Sequence, residues 1–245
     1  MGKSILILGA LSDIGRAVAH RYAQEGYDVY LAARQASRLQ ADQEDLKIRY
    51  GVSAHCFEFD ALDQPAHATF FSSLPETPEV VCCVFGYMPP QAEAEKDWAK
   101  ANQVLQTNYV GAVSILEKAQ AAILATGEKG LIIGISSVAG DRGRGSNAFY
   151  CSAKAGFTAY LSGLRNRLVK TPVHVLTVKP GYVKTAMTEH MELPGPLTAS
   201  PEEVASALFK AGRKKKNILY VRWMWRYIML IIRMIPEPIF KKLSL

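Results

Sequence analysis

Apolar and polar residues follow two alternating patterns along the chain, and these patterns predict strands separated by helices. Continuous apolar runs, typical of strands buried on both faces of a sheet, occupy residues 4–9, 29–33, 54–59, 80–85, 131–136 and 173–179. Between these runs apolar residues recur at steps of three and four, which predicts helices over residues 13–26, 37–50, 65–74, 94–125 and 148–168. The alternation predicts an α/β fold, a three-layer doubly wound parallel sheet that binds ligands at the carboxyl ends of its strands.

The length and composition fit one domain with a sizeable core. Of the 245 residues, 49% are hydrophobic and 21% are charged, which excludes a disordered or collagen-like chain. We treat residues 1–217 as the main part of this domain and residues 218–245 as its last strand and a C-terminal tail. The four cysteines form no C-x-x-C pair and we recognise no secretory leader. We therefore expect reduced thiols, a cytoplasmic location and no metal site.

The positive charge is concentrated near the end of the chain. The net charge is +7, and residues 211–245 carry nine basic residues against Glu237 alone, which gives +8 and leaves −1 for the first 210 residues. A basic tail on a nearly neutral domain does not indicate a general nucleic-acid-binding surface. We therefore expect no nucleic-acid partner.

The tail has the pattern of an amphipathic helix over residues 221–235. Arg222, Arg226 and Arg233 share one face of such a helix, and apolar side chains fill most of the rest. The apolar residues are Trp223, Trp225, Ile228, Met229, Leu230, Ile231, Ile232 and Ile235. This run is shorter than the roughly 20 residues that a membrane span needs. It predicts membrane-surface contact through residues 212–245, which include a run of basic residues, and the alternative is packing in a dimer or over the core.

A glycine-containing turn follows the first predicted strand. In Gly9-Ala-Leu-Ser-Asp-Ile-Gly15, Gly9 permits a tight turn and Gly15 permits close packing of the next helix on the strand. Backbone N–H groups and the positive end of that helix can hold a pyrophosphate. Asp13 stands where a middle glycine would ease phosphate approach, so the alternative is that the glycines only punctuate a turn.

Residues at the next two strand ends bear on the choice of nucleotide. Arg34 follows the second strand, where the adenosine ribose lies in such a unit, and its guanidinium suits a 2′-phosphate better than a free ribose. We therefore expect NADP, as NADPH, to be preferred, with NAD as the alternative cofactor. A solvated surface arginine is the other interpretation of Arg34. Asp60, at the end of the third strand, can accept a hydrogen bond from the adenine amino group.

Three residues in the second half of the chain form a candidate catalytic group. Tyr150 and Lys154 are four residues apart and share a helix face, so we expect the ammonium to lower the phenol pKa from about 10. Ser137 closes the strand before them and can hold a substrate carbonyl beside the tyrosine. Each piece alone has a simpler interpretation, because Y-x-x-x-K occurs by chance and a serine after a strand is usually a cap.

A glycine turn, a strand-ending serine, a tyrosine thirteen residues later and a lysine four further together resemble the short-chain dehydrogenase/reductase family, over nearly the whole chain. The resemblance implies a Rossmann-type sheet of about seven strands and an NAD(P)-dependent oxidoreductase acting on CH–OH groups. It also implies a tetrad of Asn108, Ser137, Tyr150 and Lys154. In this tetrad Tyr150 donates the proton, and Lys154 tunes it and binds the nicotinamide ribose. Ser137 orients the carbonyl, and Asn108 supports a proton-relay water.

The resemblance further implies a set of cofactor contacts from the glycine turn, the strand ends and a segment beside the nicotinamide. The residues are Gly9, Ser12, Asp13, Ile14, Gly15, Arg34, Asp60, Ala61, Gly86, Tyr150, Lys154, Pro180, Gly181, Val183 and Thr185. Three features depart from the family pattern. Leu8 replaces a threonine, Asp13 replaces the middle glycine, and Cys83–Gly86 replaces Asn-Asn-Ala-Gly. They concern cofactor contacts and not the catalytic group.

Shorter segments are similar to one subfamily, the decaprenylphosphoryl-2-keto-erythropentose reductases, which act on a polyprenyl-phosphate sugar. The segments are Phe59–Asp63, Phe85–Gly86, Gly140–Arg144, Pro196–Thr198 and Arg226–Leu243. This similarity favours a lipid-linked ketosugar that is reduced by a peripheral protein at the inner face of the cell membrane.

The leading hypothesis is therefore a ketone reductase with a lipid-linked substrate. A reductase of a soluble keto compound is the second hypothesis, because Met187, Met191 and Leu193 in the short lid after Thr185 can cover either ligand. A non-catalytic nucleotide sensor is the third. The family resemblance also implies a homo-oligomer that pairs its long helices.

Overall fold

The computed structural model describes residues 2–189 and 192–243 and contains a central parallel sheet of seven strands. The strands are β1 Ser4–Leu8, β2 Asp28–Ala33, β3 Ala54–Glu58, β4 Val80–Cys83, β5 Gly130–Ile135, β6 Val173–Lys179 and β9 Ile218–Tyr220. The short strands β7 Tyr182–Val183 and β8 Thr198–Ala199 pair separately. The order β3-β2-β1-β4-β5-β6-β9 shows that the chain winds outward from β1 twice, in opposite directions. The doubly wound sheet predicted from the sequence is thus confirmed, and its switch point lies between β1 and β4.

Helices cover both faces of the sheet and complete the three layers. They are α1 Asp13–Ala23, α2 Gln40–Tyr50, α3 His67–Phe70, α4 Gln91–Lys96, α5 Trp98–Leu105, α6 Ala112–Ala125, α7 Ala148–Arg167, α8 Pro201–Arg213, α9 Met224–Met234 and α10 Glu237–Phe240. Val18, Leu46 and Leu208, from α1, α2 and α8, join one buried cluster. Ile115 and Leu161, from α6 and α7, join the cluster on the other face.

The predicted single helix over residues 94–125 is wrong, because the chain is interrupted twice there. Asp97 is extended (φ −131°, ψ 98°), and its carboxylate accepts the Ala99 N–H at 2.9 Å to begin α5. Gln106–Gly111 then form a π-helical turn before α6. A Cβ on the glycine that ends this turn would lie 2.1 Å from the Ala61 carbonyl oxygen, so the helix approaches the neighbouring loop very closely.

Two other segments also differ from the predicted elements. The predicted helix over 65–74 shortens to α3 and a 3₁₀ turn that ends at Ser73. Helix α8 was not predicted, although its start is encoded locally. The Ser200 hydroxyl accepts the Glu203 N–H at 3.2 Å, and the Glu203 carboxylate accepts the Ser200 N–H at 2.8 Å, which is a capping box.

The tail helix α9 begins later than predicted and packs on the domain through one side. Arg222 precedes it with a left-handed backbone (φ 58°), and its guanidinium pairs with Glu203 at 3.0 Å. The predicted common face of three arginines is therefore wrong. Trp225 and Met229 are buried and cluster with Val138 beside the end of β5.

The opposite side of α9 exposes apolar side chains that we call the outer stripe. It consists of Trp223, Tyr227, Leu230, Ile231 and Met234, each more than half exposed. Their spacing keeps them on one side of the helix. The basic run Lys214–Lys216 precedes β9, whereas α9 follows the carboxyl end of that strand, so the strand separates the run from the stripe. Over residues 2–189 and 192–243 we find no helix with the length and apolar content of a membrane span.

Candidate active site

The carboxyl ends of the strands border a cleft of about 850 Å³ that gathers most of the predicted catalytic residues. Tyr150 and Lys154 lie one turn apart on α7, and Ser137 comes two residues after the end of β5. The Ser137 hydroxyl accepts the Ala139 N–H at 3.1 Å, which fixes the turn after the strand. Ser137, Tyr150 and Lys154 therefore line one cavity at the edge of the sheet where the fold predicts ligands.

The phenol of Tyr150 is held in its protonated form. Burial raises its pKa to about 12, and the Ser137 hydroxyl and the charge of Arg144 offset only part of that effect. The prediction that Lys154 lowers this pKa is wrong for this arrangement. The Lys154 Nζ lies 5.6 Å from the centroid of the Tyr150 ring and donates instead to the Ile135 carbonyl at 3.1 Å. At neutral pH the phenol of Tyr150 thus keeps its proton.

Lys154 is a buried cation with an easily lost proton. Its side chain is only 4% exposed, and burial lowers its pKa to about 8. Lys154 and Gly86 nevertheless both line the catalytic cleft. The ammonium has two further N–H groups for a ligand beyond its bond to the backbone.

Asn108 lies in the π-helical turn, behind the cleft. Its amide group donates to the carbonyls of Tyr87 at 2.7 Å and Val104 at 2.9 Å, and its oxygen accepts the Tyr87 N–H at 3.3 Å. A Cβ on Gly86 would lie 2.9 Å from that oxygen. The π turn widens the helix at this point, as such turns often do at functional sites, and holds the segment around Tyr87 against the cleft. The predicted role with a relay water stays a prediction.

The glycine turn has the backbone that its sequence predicts. Gly9 adopts φ 100°, and a Cβ there would lie 2.7 Å from the Phe85 nitrogen. A Cβ on Gly15 would lie 2.6 Å from the Gly9 carbonyl oxygen. Ser12 caps α1, since its hydroxyl accepts the Gly15 N–H at 3.1 Å. The Asp13 carboxylate accepts the Ala186 N–H at 2.8 Å and so connects this turn to the opposite wall of the cleft.

A second cavity, of about 1340 Å³, continues from the glycine turn to the end of β2. Arg34 and Arg38 both line it and are exposed. The sequence reasoning missed Arg38, and the available signal was its position at the start of the predicted helix, four residues after Arg34. The Glu58 carboxylate accepts the Gln35 and Ala36 N–H groups at 2.8 Å each and thereby shapes the turn between the two arginines. Two guanidinium groups thus stand together at the far end of the cleft.

Asp60 and Ala61, which follow β3 near the position predicted to contact adenine, have different surroundings. Ala61 lines the second cavity, while the Asp60 carboxylate accepts the Leu62 N–H at 2.9 Å and closes its own turn. The Asp60 carbonyl is also occupied, because it lies 3.0 Å from His67 Nε2. The predicted contact of Asp60 with the adenine amino group stays a prediction.

The segment after β6 forms the other wall of the catalytic cleft. Four predicted contacts in this segment line the cleft together with Ile14: Pro180, Gly181, Val183 and Thr185. Trp225 from α9 also lines it and packs directly on Gly181. Of the predicted lid residues, Met187 lines the cleft, Leu193 is half-buried elsewhere, and Met191 lies outside the described residues.

The residues present fit a dinucleotide that lies across the two cavities. Gly9 and Ser12 line the second cavity at the amino end of α1, and a helix amino end suits a pyrophosphate. Arg34 and Arg38 stand at one end, and Tyr150 and Lys154 stand at the other. Arg16 lines neither cavity, and its Nε pairs with Asp42 at 3.0 Å.

Comparison with known proteins gives a consistent set of relatives. A family model described as short chain dehydrogenase matches residues 3–193. An uncharacterised oxidoreductase of Mycobacterium tuberculosis is 37% identical over 242 residues, 98% of this chain and 96% of that protein. A sulfoacetaldehyde reductase of Chromohalobacter salexigens is 29% identical over 192 residues, 77% of this chain and 75% of that protein. A solved actinorhodin polyketide ketoreductase with NADPH has a TM-score of 0.79 and 25% identity, covering 90% of this chain and 95% of that chain.

Proposed function

The chain belongs to the short-chain dehydrogenase family, and on that premise we propose that it reduces a ketone with NADPH while Tyr150 donates the proton. Family membership makes it an NAD(P)-dependent oxidoreductase that acts on CH–OH groups. One observation carries the proposed roles: Ser137, Tyr150 and Lys154 line the same cleft as Pro180–Val183 and Thr185. The hypothesis of a non-catalytic nucleotide sensor has no comparable support.

The bound dinucleotide supplies the hydride, and the protein supplies the proton and the orientation. The Ser137 hydroxyl donates to the carbonyl oxygen and holds it beside Tyr150. As the oxygen becomes an alkoxide, Tyr150 protonates it. A phenol of pKa about 12 is far more acidic than an alcohol, which resembles water at 15.7, so this transfer is downhill by about 5 kcal/mol. Lys154, whose ammonium keeps two N–H groups beyond its bond to the Ile135 carbonyl, would hold the nicotinamide ribose in the cleft.

Tyr150→Phe tests the proton donor. We expect turnover to fall at least about 100-fold while NADPH affinity changes less than twofold, because only the hydroxyl is lost. Tyr50→Phe, the same change on α2, is the control. Single-turnover NADPH oxidation and calorimetry measure the two quantities. A Tyr150→Phe enzyme that kept more than about a tenth of the rate would remove the phenol from the chemistry.

The preference for NADPH is proposed from the two guanidinium groups at the adenosine end. A 2′-phosphate offers them charge-assisted acceptors that NADH lacks. Arg34→Ala and Arg38→Ala should each weaken NADPH binding by about 10- to 100-fold and barely change NADH binding. Arg49→Ala, an exposed arginine on α2, is the matched control. Equal wild-type affinity for both cofactors, measured at one salt concentration, contradicts the preference.

For the substrate we propose a lipid-linked ketosugar of the kind used by the decaprenylphosphoryl-2-keto-erythropentose reductase subfamily, taken from a membrane surface. The support is the position of α9. Its inner residue Trp225 lines the catalytic cleft, while its outer stripe is exposed. Four cations flank that stripe and are exposed: Arg226, Arg233, Lys241 and Lys242. A helix docked on a membrane through the stripe would therefore hold the cleft close to the lipid headgroups.

Cosedimentation with vesicles containing phosphatidylglycerol tests this surface. Leu230→Ser/Ile231→Ser should lose most vesicle binding, because the two apolar side chains no longer enter the interface. Ile48→Ser/Val169→Ser, which removes apolar groups that are 84% and 74% exposed elsewhere, should bind like the wild type. Trp225 is unsuitable for this test because it is only 6% exposed. Membrane contact is refuted if the stripe variant binds vesicles like the wild type. It is also refuted if the substitutions dissociate a dimer and leave vesicle binding unchanged.

A small keto compound in solution is the second candidate substrate. It is favoured by the relative named sulfoacetaldehyde reductase, which matches 77% of this chain. This candidate is favoured over the lipid-linked one if activity on such compounds is unchanged by added vesicles and by Leu230→Ser/Ile231→Ser. The predicted homo-oligomer stays a prediction, and light scattering of the purified protein measures it.

A further inference from the structure

The loop between β5 and α7 carries three charged side chains, two of which are fully used within the protein. Asp141 pairs with the buried Lys179 and accepts the Tyr220 hydroxyl at 2.7 Å. Arg142 pairs with Glu237 at 2.6 Å, and it also donates to three carbonyls at the end of α9. These two residues anchor the loop to the sheet and to the tail.

The third charge, Arg144, has no such partner. It is half-buried and lines the catalytic cleft together with Ser137 and Tyr150. Its Nε is buried and makes no hydrogen bond. Within residues 2–189 and 192–243 we find no carboxylate paired with its guanidinium. Two residues after Arg142, the chain therefore places a second guanidinium in the wall of the cleft with its Nε unsatisfied, and Arg144 also borders a neighbouring pocket beside the tail.

An unpaired, partly buried guanidinium is costly, and such a group calls for a ligand. The charge of Arg144 reaches the reacting centre, since it lowers the pKa of the Tyr150 phenol. None of the described residues that line this cleft is Asp or Glu, and Lys154 is the other cation among them. The described residues of this cleft wall thus include two cations and no acidic side chain.

The cofactor does not account for this charge. The glycine turn and Arg34 border the second cavity, and Arg144 does not line that cavity. Arg144 belongs instead to the segment between Ser137 and Tyr150 and lines the catalytic cleft with both. A guanidinium here can bind a planar or tetrahedral anion through two parallel N–H groups.

We infer that Arg144 binds an anionic group of the substrate, a phosphate, carboxylate or sulfonate close to the reacting carbonyl. This inference deepens the proposed ketone reduction and rests on it. The anion completes the hydrogen bonds of the guanidinium and thereby positions the carbonyl at Ser137 and Tyr150. A lipid-linked phosphate and a small anionic ketone share this chemistry.

Matched pairs of ketones test the inference. Dihydroxyacetone phosphate is compared with dihydroxyacetone, and acetoacetate with acetylacetone, at saturating NADPH. We expect kcat/KM to be at least about tenfold higher for the anionic member of a pair. Arg144→Gln should lower it about 10- to 100-fold for the anion and less than threefold for the neutral ketone, with NADPH affinity unchanged. The kcat/KM of Arg144→Lys for the anionic ketone should lie between those of the wild type and Arg144→Gln, because lysine keeps the charge but lacks the two parallel N–H groups of the guanidinium.

Arg49→Gln, which removes an exposed guanidinium on α2, is the control and should leave both members of a pair unchanged. Equal losses for anionic and neutral ketones in Arg144→Gln would make the residue a structural support and overturn the inference. The absence of any preference in the wild type would also overturn it. Two assays separate the two sources of the anion. Turnover of dihydroxyacetone phosphate reports a soluble anionic ketone. Vesicle binding that is lost in the outer-stripe variant reports a lipid-linked substrate, because only that substrate requires the outer stripe.

A binding measurement separates this inference from the reductase proposal. Methylphosphonate is titrated calorimetrically into protein saturated with NADP⁺, which fills the cofactor phosphate sites. We expect binding that weakens at least about tenfold in Arg144→Gln. Binding that depends on Arg144 without turnover of any ketone refutes the reductase and supports the anion site. Ketone turnover combined with methylphosphonate binding that is unchanged in Arg144→Gln supports the reductase and refutes the anion site.

Discussion

Gly181→Ala is predicted to undock the tail helix from the catalytic cleft. A Cβ at this position would lie 1.9 Å from Cε2, 2.0 Å from Nε1 and 2.5 Å from Cζ2 of Trp225. Carbon atoms in contact stay about 3.5–4.0 Å apart, so the indole has to move by roughly 1.5 Å or more. Gly181 does not occupy the left-handed region. The alanine therefore adds no backbone strain, and its effect isolates the packing of α9.

The cost of this substitution can be bounded from the contacts of the indole. Trp225 is 6% exposed, packs edge-on to Tyr182 at 5.6 Å between centroids, and donates to the Leu197 carbonyl at 3.0 Å. Overpacking costs about 1–3 kcal/mol and the lost hydrogen bond about 1 kcal/mol. Full release of the indole exposes roughly 150–250 Å², which sets a ceiling of about 4–6 kcal/mol. We therefore expect the free energy of unfolding to fall by about 2–4 kcal/mol.

Urea denaturation measures the loss, and hydrogen exchange over residues 224–234 locates it. In a Trp225→Ala background, Gly181→Ala should cost less than about 0.5 kcal/mol, because the clashing ring is absent. Gly163→Ala is the matched control. Its Cβ would meet no atom within 4 Å, so it should be neutral or stabilise α7 by up to about 1 kcal/mol. Additive costs in the double variant, or unchanged exchange in α9, would falsify the assigned contact.

Two further predictions concern buried charges. Between pH 8 and 10.5 the stability of the wild type should rise, because unfolded Lys154 still binds a proton that the folded residue, with its pKa lowered to about 8, has released. Lys154→Met should lack that rise and gain up to about 3 kcal/mol at pH 7, and urea titrations across pH that show the same rise in both proteins contradict this. Asp141→Asn strands the buried Lys179 ammonium and should cost about 3–5 kcal/mol. Asp45→Asn, at an exposed ion pair, should change the melting temperature little, and equal shifts for the two variants would refute the special role of Asp141.

The elements that the sequence predicted well are those encoded by local spacing. The run Ile5–Leu8 is apolar at every position, and all four residues are fully buried, as a strand covered on both faces requires. Gly9 adopts the positive φ that its place in the turn indicated. Tyr150 and Lys154 share a cleft because a separation of four residues on a helix fixes their relative direction. The capping box at Ser200 was equally local and could have predicted α8.

Distant contacts decided what the sequence could not. The break at Asp97 and the π turn before α6 depend on how closely the helix approaches the Ala61 loop, which no helical pattern contains. The tail pattern showed a wide apolar face, but only the position of Val138 selects Trp225 and Met229 for the core. The same holds for charge. We expected the Lys154 ammonium to lower the pKa of Tyr150, but burial of the phenol raises that pKa instead.

The sequence by itself determined the strands of the sheet, the glycine turn and the placement of Tyr150 and Lys154 on one helix face, because each depends on residues a few positions apart. Only the tertiary structure decided that Asp141 and Arg142 anchor the loop after β5 while Arg144 is left for a ligand. In the sequence these three charged residues lie within four positions, and nothing there distinguishes a structural role from a functional one. Their partners, Lys179 and Glu237, come from distant parts of the chain, and a charge becomes structural or functional according to which partner the fold brings to it.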